Sequence, residues 1–241
     1  RLLYPAFPYP DMTQTTREDS DALFAYLRTL PAVAQAPRPH ALRAPFDSQA
    51  ALALWRALYF RPGVFEPDPA RSAEWNRGAY LVRGLGHCAS CHAPRNALGA
   101  TRDAQALAGG AIPVQGWVAP SLAADDEAGV RSWPAQEAVA LLRTGVSPQG
   151  SALGPMAQVV FRSTQHLADA DLRAMVVYLQ SLPAEAAARD AVRAPDAGSM
   201  ARGQRLYDDH CADCHGPQGQ GAAGAYPALA GNRSVTMASP A

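Results

Sequence analysis

The sequence contains no lysine. All 21 basic residues are arginine, and 21 acidic residues balance them to a formal net charge of zero. That balance removes the basic surplus on which a nucleic-acid partner or an anionic membrane surface would depend. The missing lysine reads as a compositional bias, and it leaves only planar guanidinium forks to hold carboxylates. No apolar run approaches the ~18–20 residues needed to cross a bilayer, so the chain is expected to be soluble. There is no initiator methionine and no signal peptide ahead of Arg1, which points to processing or truncation of the true N-terminus. No period short enough for a solenoid is present. Nor is any cysteine left over: all four fall within two short motifs.

A length of 241 residues suits two domains better than one. The 21 prolines and 19 glycines cluster between apolar stretches, a pattern of short helices joined by long loops. The cysteine motifs are Cys88-Ala-Ser-Cys91-His92 and Cys211-Ala-Asp-Cys214-His215. With this spacing two sulfurs can add to the two vinyl groups of a haem while the adjoining imidazole binds the iron. Other uses of paired cysteines fit poorly. A zinc ribbon would want the pairs about 15–20 residues apart, and Cys91 is far from Cys211. A thioredoxin-like pair wants a strand and helix around it, and a disulfide across so tight a pair is strained. None of these explains a histidine after both pairs.

Each motif follows a similar stretch, Trp75-Asn-Arg-Gly78-Ala-Tyr80-Leu-Val and Ala201-Arg-Gly203-Gln-Arg-Leu206-Tyr207. Both read as opening helices whose small residue admits a crossing helix, with Tyr80, Val82 and Leu85 at helical spacing. The crossing partner is Asp169 to Pro183, with Leu172, Met175, Val176 and Leu179 on one face and Pro183 as its stop. The same pattern recurs 152 residues earlier: Asp19, Ala22, Tyr26, Leu27, Leu30 and Pro31 match Asp171, Ala174, Tyr178, Leu179, Leu182 and Pro183. The expected organisation is therefore the closing part of a first domain over 1–34, a linker with one helix (Asp47 to Phe60) over 35–72, and a complete domain over 73–184. A second linker covers 185–198, and the opening part of a further domain covers 199–241. The outer domains are expected to be cut short.

A thioether sixth ligand would leave no open coordination site and so favour a carrier over a catalyst. Met156 is the candidate for His92. It lies in Gly154-Pro155-Met156, read as a loop returning over the iron ahead of the closing helix. Met175 belongs to an apolar stripe, Met200 precedes an opening helix, and Met237 follows His215 too soon; the sixth ligand of the last iron stays open. Pro120 and Pro227, each in a Pro-x-Leu unit, are candidates to accept the free N–H of His92 and His215. The competing reading is an ordinary turn proline. Trp117, Trp133, Arg95 and Arg143 are candidates for lining the first attached haem or holding its propionates, against a default of buried tryptophan and exposed arginine. His87 and His210 sit too close to their motifs to reach the distal side, and His40 and His166 read as structural or solvated.

Beyond the two motifs, Leu3-Tyr-Pro-Ala-Phe-Pro-Tyr9, Trp75-Asn-Arg-Gly-Ala-Tyr-Leu81, His87-Cys-Ala-Ser-Cys-His-Ala-Pro-Arg-Asn96, Leu142-Arg-Thr-Gly145 and Gly154-Pro-Met156 resemble the triple-haem cytochrome c subunit of membrane-associated bacterial dehydrogenases. That group serves alcohol, gluconate and sugar dehydrogenases and some molybdenum hydroxylases acting on aldehydes or nicotinate-like heterocycles. The resemblance implies a mostly α fold of tandem class I cytochrome c domains, with short helices around covalent haem and long loops. It implies haem c, two in this chain and three in the full-length protein, with His92 and Met156 as the axial pair of the middle haem and His215 as proximal ligand of the last. Phe7 stands where many relatives carry the first haem's methionine, and Met12 is the substitute. The implied role is electron relay from a molybdenum, flavin or quinoprotein dehydrogenase to ubiquinone or a terminal oxidase. The implied place is the periplasmic face of a bacterial inner membrane, with peripheral association through other segments or partners. The alternative of another class is a dihaem enzyme such as a peroxidase, which needs an open iron site. A cysteine-ligated thiosulfate-oxidising cytochrome is disfavoured because all four cysteines are already used.

Overall fold

The computed structural model describes residues 2–36, 38–42, 44–104, 106–113, 115–184 and 195–237. Among these residues eleven α-helices run in chain order: α1 (Tyr9–Met12), α2 (Arg17–Leu27), α3 (Gln49–Tyr59), α4 (Ala73–Tyr80), α5 (Ala89–His92), α6 (Ala135–Thr144), α7 (Gly154–Arg162), α8 (Asp169–Gln180), α9 (Ala197–His210), α10 (Ala212–His215) and α11 (Arg233–Thr236). A π-helical stretch, Leu81–Leu85, prolongs α4, and a 3₁₀ turn, Thr164–His166, precedes α8. Two short antiparallel hairpins join them. In one, β1 (Gly110–Ile112) pairs with β2 (Trp117–Ala119) in the register Gly110 to Ala119; in the other, β3 (Val146–Ser147) pairs with β4 (Gly150–Ser151). Neither hairpin is legible in the sequence, being two or three residues per strand.

The central crossing is α4 against α8. Helix α4 begins where the Ser72 hydroxyl accepts from the Trp75 N–H at 3.1 Å, a standard way to satisfy an orphan donor. It buries Gly78, Ala79 and Tyr80. A Cβ on Gly78 would overlap the Ala174 carbonyl and stand 2.9 Å from Tyr178 Cβ, so only glycine permits this approach. Helix α8 buries Leu172, Met175, Val176 and Leu179, together with Ala174 and Tyr178. Polar contacts frame the crossing. Arg77 donates two hydrogen bonds to Asp171 (2.7 and 3.0 Å), Arg83 Nε donates to the Tyr178 hydroxyl at 2.9 Å, and Trp75 Nε1 donates to Ser181 at 2.6 Å. The buried members of the connected apolar core lie between residues 79 and 182, with Phe65 and Trp75 packed against them.

The flanking segments lean on this core. Helix α3 buries Leu52, and Arg56 lies over the rings of Tyr9 and Phe60, which meet edge to face at 5.0 Å. At the N-terminus of α2 the Thr16 N–H donates to the Tyr80 hydroxyl (3.2 Å), and that hydroxyl donates to Asp19 (2.5 Å). The stretch expected as a linker over 185–198 lies outside the described residues up to 194, and α9 already starts at Ala197 behind an Asp196 cap. No helix among the described residues is long and apolar enough to cross a membrane.

Candidate haem sites

Both cysteine motifs form one helical turn. In α5 the His92 N–H bonds the Cys88 carbonyl at 2.9 Å, and in α10 the His215 N–H bonds the Cys211 carbonyl at 2.9 Å. Residues three apart on such a turn share a face, which sets the two sulfurs of each motif side by side and leaves the histidine at the end of the turn. Among the described residues all four cysteines are free thiols. No cluster of three or more His, Cys, Asp or Glu side chains there could hold a metal ion.

The imidazoles of His92 and His215 are oriented in the same way. His92 Nδ1 lies 2.8 Å from the Pro120 carbonyl, and His215 Nδ1 lies 2.9 Å from the Pro227 carbonyl. A proline carbonyl can only accept, so Nδ1 carries the proton and Nε2 is the nitrogen with a lone pair for iron. Burial lowers the His92 pKa from its ordinary value, and the Pro120 hydrogen bond opposes part of that shift. The imidazole is thus neutral at neutral pH, the form a metal needs. Burial pushes the Cys88 thiol up to about 12 and raises Cys91 as well; such apolar surroundings suit an uncharged thioether.

What holds each proline in place is a pair of backbone contacts that no sequence motif announces. In the middle unit the Gly109 N–H donates to the His92 carbonyl (2.8 Å) and the Leu122 N–H to the Leu107 carbonyl (2.9 Å); in the last unit Gly221 donates to His215 (2.7 Å) and Leu229 to Gly219 (2.8 Å). Gly109 and Gly221 both have positive φ, and a Cβ on either would press on the proline unit, at 3.0 Å from Pro120 C and 2.8 Å from Pro227 C. Their separations from the histidine differ, because the middle unit has a longer loop, with the Arg95–Thr101 bridge, between His92 and Gly109; the β1–β2 hairpin then stands between Gly109 and Pro120 where the last unit has only an Ala222–Tyr226 bridge. That difference hides the correspondence.

The remaining candidates divide. Met156 is half-buried, but it stands in the first turn of α7 and not in a loop, since Pro155 sits at a position where its fixed φ and missing N–H favour starting a helix. Trp133 is buried and its Nε1 has no partner among the described residues, so it is a donor suited to a propionate. Trp117 lies over Gly154 at the start of α7. Arg95 is instead engaged with the carbonyls of Gly99 and Ser90 (2.8 and 2.6 Å), and Arg143 with Asp169 and the Leu167 carbonyl; both are committed to local structure. Met12 ends α1, the helix whose Asp11 accepts from Ser90 inside the middle motif at 3.0 Å, while Phe7 is exposed. His40, His166 and His210 are exposed, and His87 is half-buried with its ring against the Gly86 carbonyl.

Free thiols paired on one face, a neutral imidazole held through Nδ1, and an orphaned indole donor together fit a covalently attached haem. Residues 200–240 match the family described as Cytochrome c. The chain carries a cytochrome c domain. Its relatives are cytochrome subunits of dehydrogenases. It is 41% identical over 241 residues to a subunit of the nicotinate dehydrogenase of Pseudomonas putida, a match covering 98% of this chain and 20% of that protein. It is 36% identical over 264 residues to the fructose dehydrogenase cytochrome subunit of Gluconobacter japonicus, covering 99% of this chain and 54% of that one. A similar match, 36% over 234 residues, joins it to the gluconate 2-dehydrogenase cytochrome c subunit of Pantoea cypripedii, covering 90% and 53%. The chain thus spans from a fifth to about half of the length of these relatives. The mostly helical fold agrees with class I cytochrome c, and a cytochrome c domain implies haem c. The peroxidase alternative draws no support from these relatives.

Proposed function

We propose that this chain is the electron-relay part of a dehydrogenase cytochrome subunit. The observation that carries the reading is the repeated proximal geometry: two CxxCH turns, each with its imidazole N–H on a proline carbonyl at 2.8–2.9 Å. When bound, each haem iron would accept and release one electron without bond chemistry at the protein. Cys88, Cys91, Cys211 and Cys214 would fix the haems as thioethers. His92 and His215 would be proximal ligands, made more basic and held in orientation by Pro120 and Pro227. Met156 would close the sixth position of the middle iron, and Met12 that of the first.

The domain reading remains 1–34, 73–184 and 199–241 as parts of three haem units, with linkers at 35–72 and 185–198, and three haems in the full-length protein. The relatives' names support a dehydrogenase as the partner class; that partner would be of molybdenum, flavin or quinoprotein type and would oxidise the substrate, with ubiquinone or a terminal oxidase as acceptor. The place would be the periplasmic face of a bacterial inner membrane, with peripheral attachment.

The test is a haem-stained denaturing gel of the full-length protein with its co-purifying subunits, combined with intact mass and metal analysis. Three haems and a molybdenum or flavin partner are the expected result. Two haems, no partner and peroxide turnover would overturn the proposal. Met156→Ala should abolish the sulfur-to-iron charge-transfer band of the oxidised middle haem while haem attachment persists.

A further inference from the structure

The last unit is not merely tethered to the middle one; it is bonded to it through Ser151 at the end of the β3–β4 hairpin. The Ser234 hydroxyl accepts from the Ser151 N–H at 3.0 Å and donates to the Ser151 carbonyl at 2.6 Å. Asn232 Nδ2 donates to the Ser151 hydroxyl at 3.2 Å, and the Arg233 N–H donates to the Gln149 carbonyl at 2.8 Å. A Cβ on Gly150 would stand 3.8 Å from both Arg233 Cβ and Ser234 Oγ, so the last unit packs closely on the hairpin turn. Asn232 is 2% exposed, although most of its own unit is open to solvent. A buried amide with every donor used marks a fixed contact rather than a glancing one.

The two ends of this contact lead to the two candidate irons. Asn232 also donates to the Ala228 carbonyl at 2.8 Å, one residue after Pro227, which holds the ring of His215. Ser151 lies just ahead of α7, whose first turn carries Met156. A short run of backbone and hydrogen bonds therefore joins the proximal side of the last site to the sixth-ligand side of the middle one.

We infer that Asn232, Ser234 and Ser151 form an inter-unit clamp that positions the last haem site on the middle one, so that electrons pass between the two across this face. The inference rests on the electron-relay reading above. One electron leaves a ferrous site, which is oxidised, and reaches a ferric site, which is reduced; no proton or bond is exchanged. These three are positioning residues, since none is proposed to touch iron.

The test uses the full-length holoprotein with Ser234→Ala, which deletes both bonds to the Ser151 backbone, and Ser234→Thr, which keeps the hydroxyl. Amide exchange at Ser151 should accelerate about fivefold for each bond lost, or roughly thirtyfold for both, from the usual net worth of a hydrogen bond. Electron equilibration between the middle and last haems, followed after rapid partial reduction, should slow by about tenfold or more, with haem content and axial spectra unchanged and the Thr variant close to wild type. Should Ser234→Ala lose haem, Ser151→Ala, which removes only the hydroxyl facing Asn232, carries the same comparison with a smaller expected change. Faster exchange with unaltered inter-haem kinetics would overturn the inference, as would unaltered exchange. Absence of haem from Cys211 and Cys214 in the wild type would instead sink the electron-relay reading itself, and the exchange measurement distinguishes the two failures.

Discussion

Helix α4 buries Gly78, Ala79 and Tyr80 beneath α8, whereas α9, which opens the last unit with a similar pattern, buries none of its residues. A Cβ on Gly78 would collide with Ala174, while one on Gly203 would meet nothing within 4 Å. The closing helices differ in the same way. Tyr178 of α8 is 1% exposed, but its counterpart Tyr26 of α2 is 63% exposed, and Phe24, Leu27 and Leu30 lie open beside it. Full burial of one such side chain contributes about 1.5–3 kcal/mol, so an opening and a closing helix each depend on the other. The haem turns themselves do not follow this split: α5 and α10 hold their histidines on prolines with equal geometry whether or not the crossing is made. Local hydrogen bonding builds the proximal side; the helix crossing builds the rest of the unit.

The largest expected effect comes from breaking the one crossing that is complete. Gly78→Ala should destabilise the holoprotein by about 3 kcal/mol, since the backbone of α8 must retreat from the new methyl group. Thermal unfolding followed by haem absorbance reads this directly; a change below about 1 kcal/mol would mean that the crossing is looser than the contacts require.

Tyr80→Phe is next. The hydroxyl links α4 to the N-terminus of α2 through Thr16 and Asp19, and its loss should cost about 2 kcal/mol. The effect should appear as early proteolysis within residues 17–30, with the α4–α8 core still protected. An equal loss of protection in both regions would show that α2 and the core unfold together.

Much of this comparison is readable in the sequence. The 152-residue repeat locates α2 and α8, and the aromatic and small residues around Gly78 locate the crossing; prolines 120 and 227 stand out by their Pro-x-Leu spacing. What escapes are features without a fixed sequence interval. Gly109 and Gly221 serve the same carbonyl contact at different distances from their histidines, because a longer loop after His92 alters the spacing but not the geometry. The π-helical stretch after Tyr80 reads as ordinary helix, since Val82 is buried in either form. Gly-Pro is a turn signal and so suggests a loop for Met156, yet proline is equally suited to the first turn of a helix. The Ser151 to Ser234 contact joins polar residues far apart in the chain, and polar pairing leaves no periodic trace.

A smaller effect of opposite sign should come from Gly203→Ala. With nothing near its Cβ, alanine should stabilise α9 by about 0.5–1 kcal/mol through reduced backbone entropy. In a longer chain that supplies a closing helix the same substitution should turn destabilising, as at Gly78. Measuring it in both chains tests the proposed third unit, and stabilisation in both would contradict it.

The smallest effect concerns the ion pair at the complete crossing. The Arg77 hydrogen bonds hold the Asp171 carboxyl below its ordinary pKa, and Asp171 in turn raises Arg77. A carboxylate depressed in the native state adds stability that is fully present above its unfolded value, near ~3.9, and is lost as pH falls through the native value. Arg77 is 45% exposed, so solvent screening limits the contribution to about 0.5–1 kcal/mol. Asp171→Asn should therefore lower stability by that amount at neutral pH, and the difference from wild type should close as the pH drops below about 4. Denaturant titrations of both proteins at pH 7 and pH 3 check the sign: a gap that widened in acid would mean that Asp171 is held protonated at the crossing, and that the frame around Gly78 is set by packing alone.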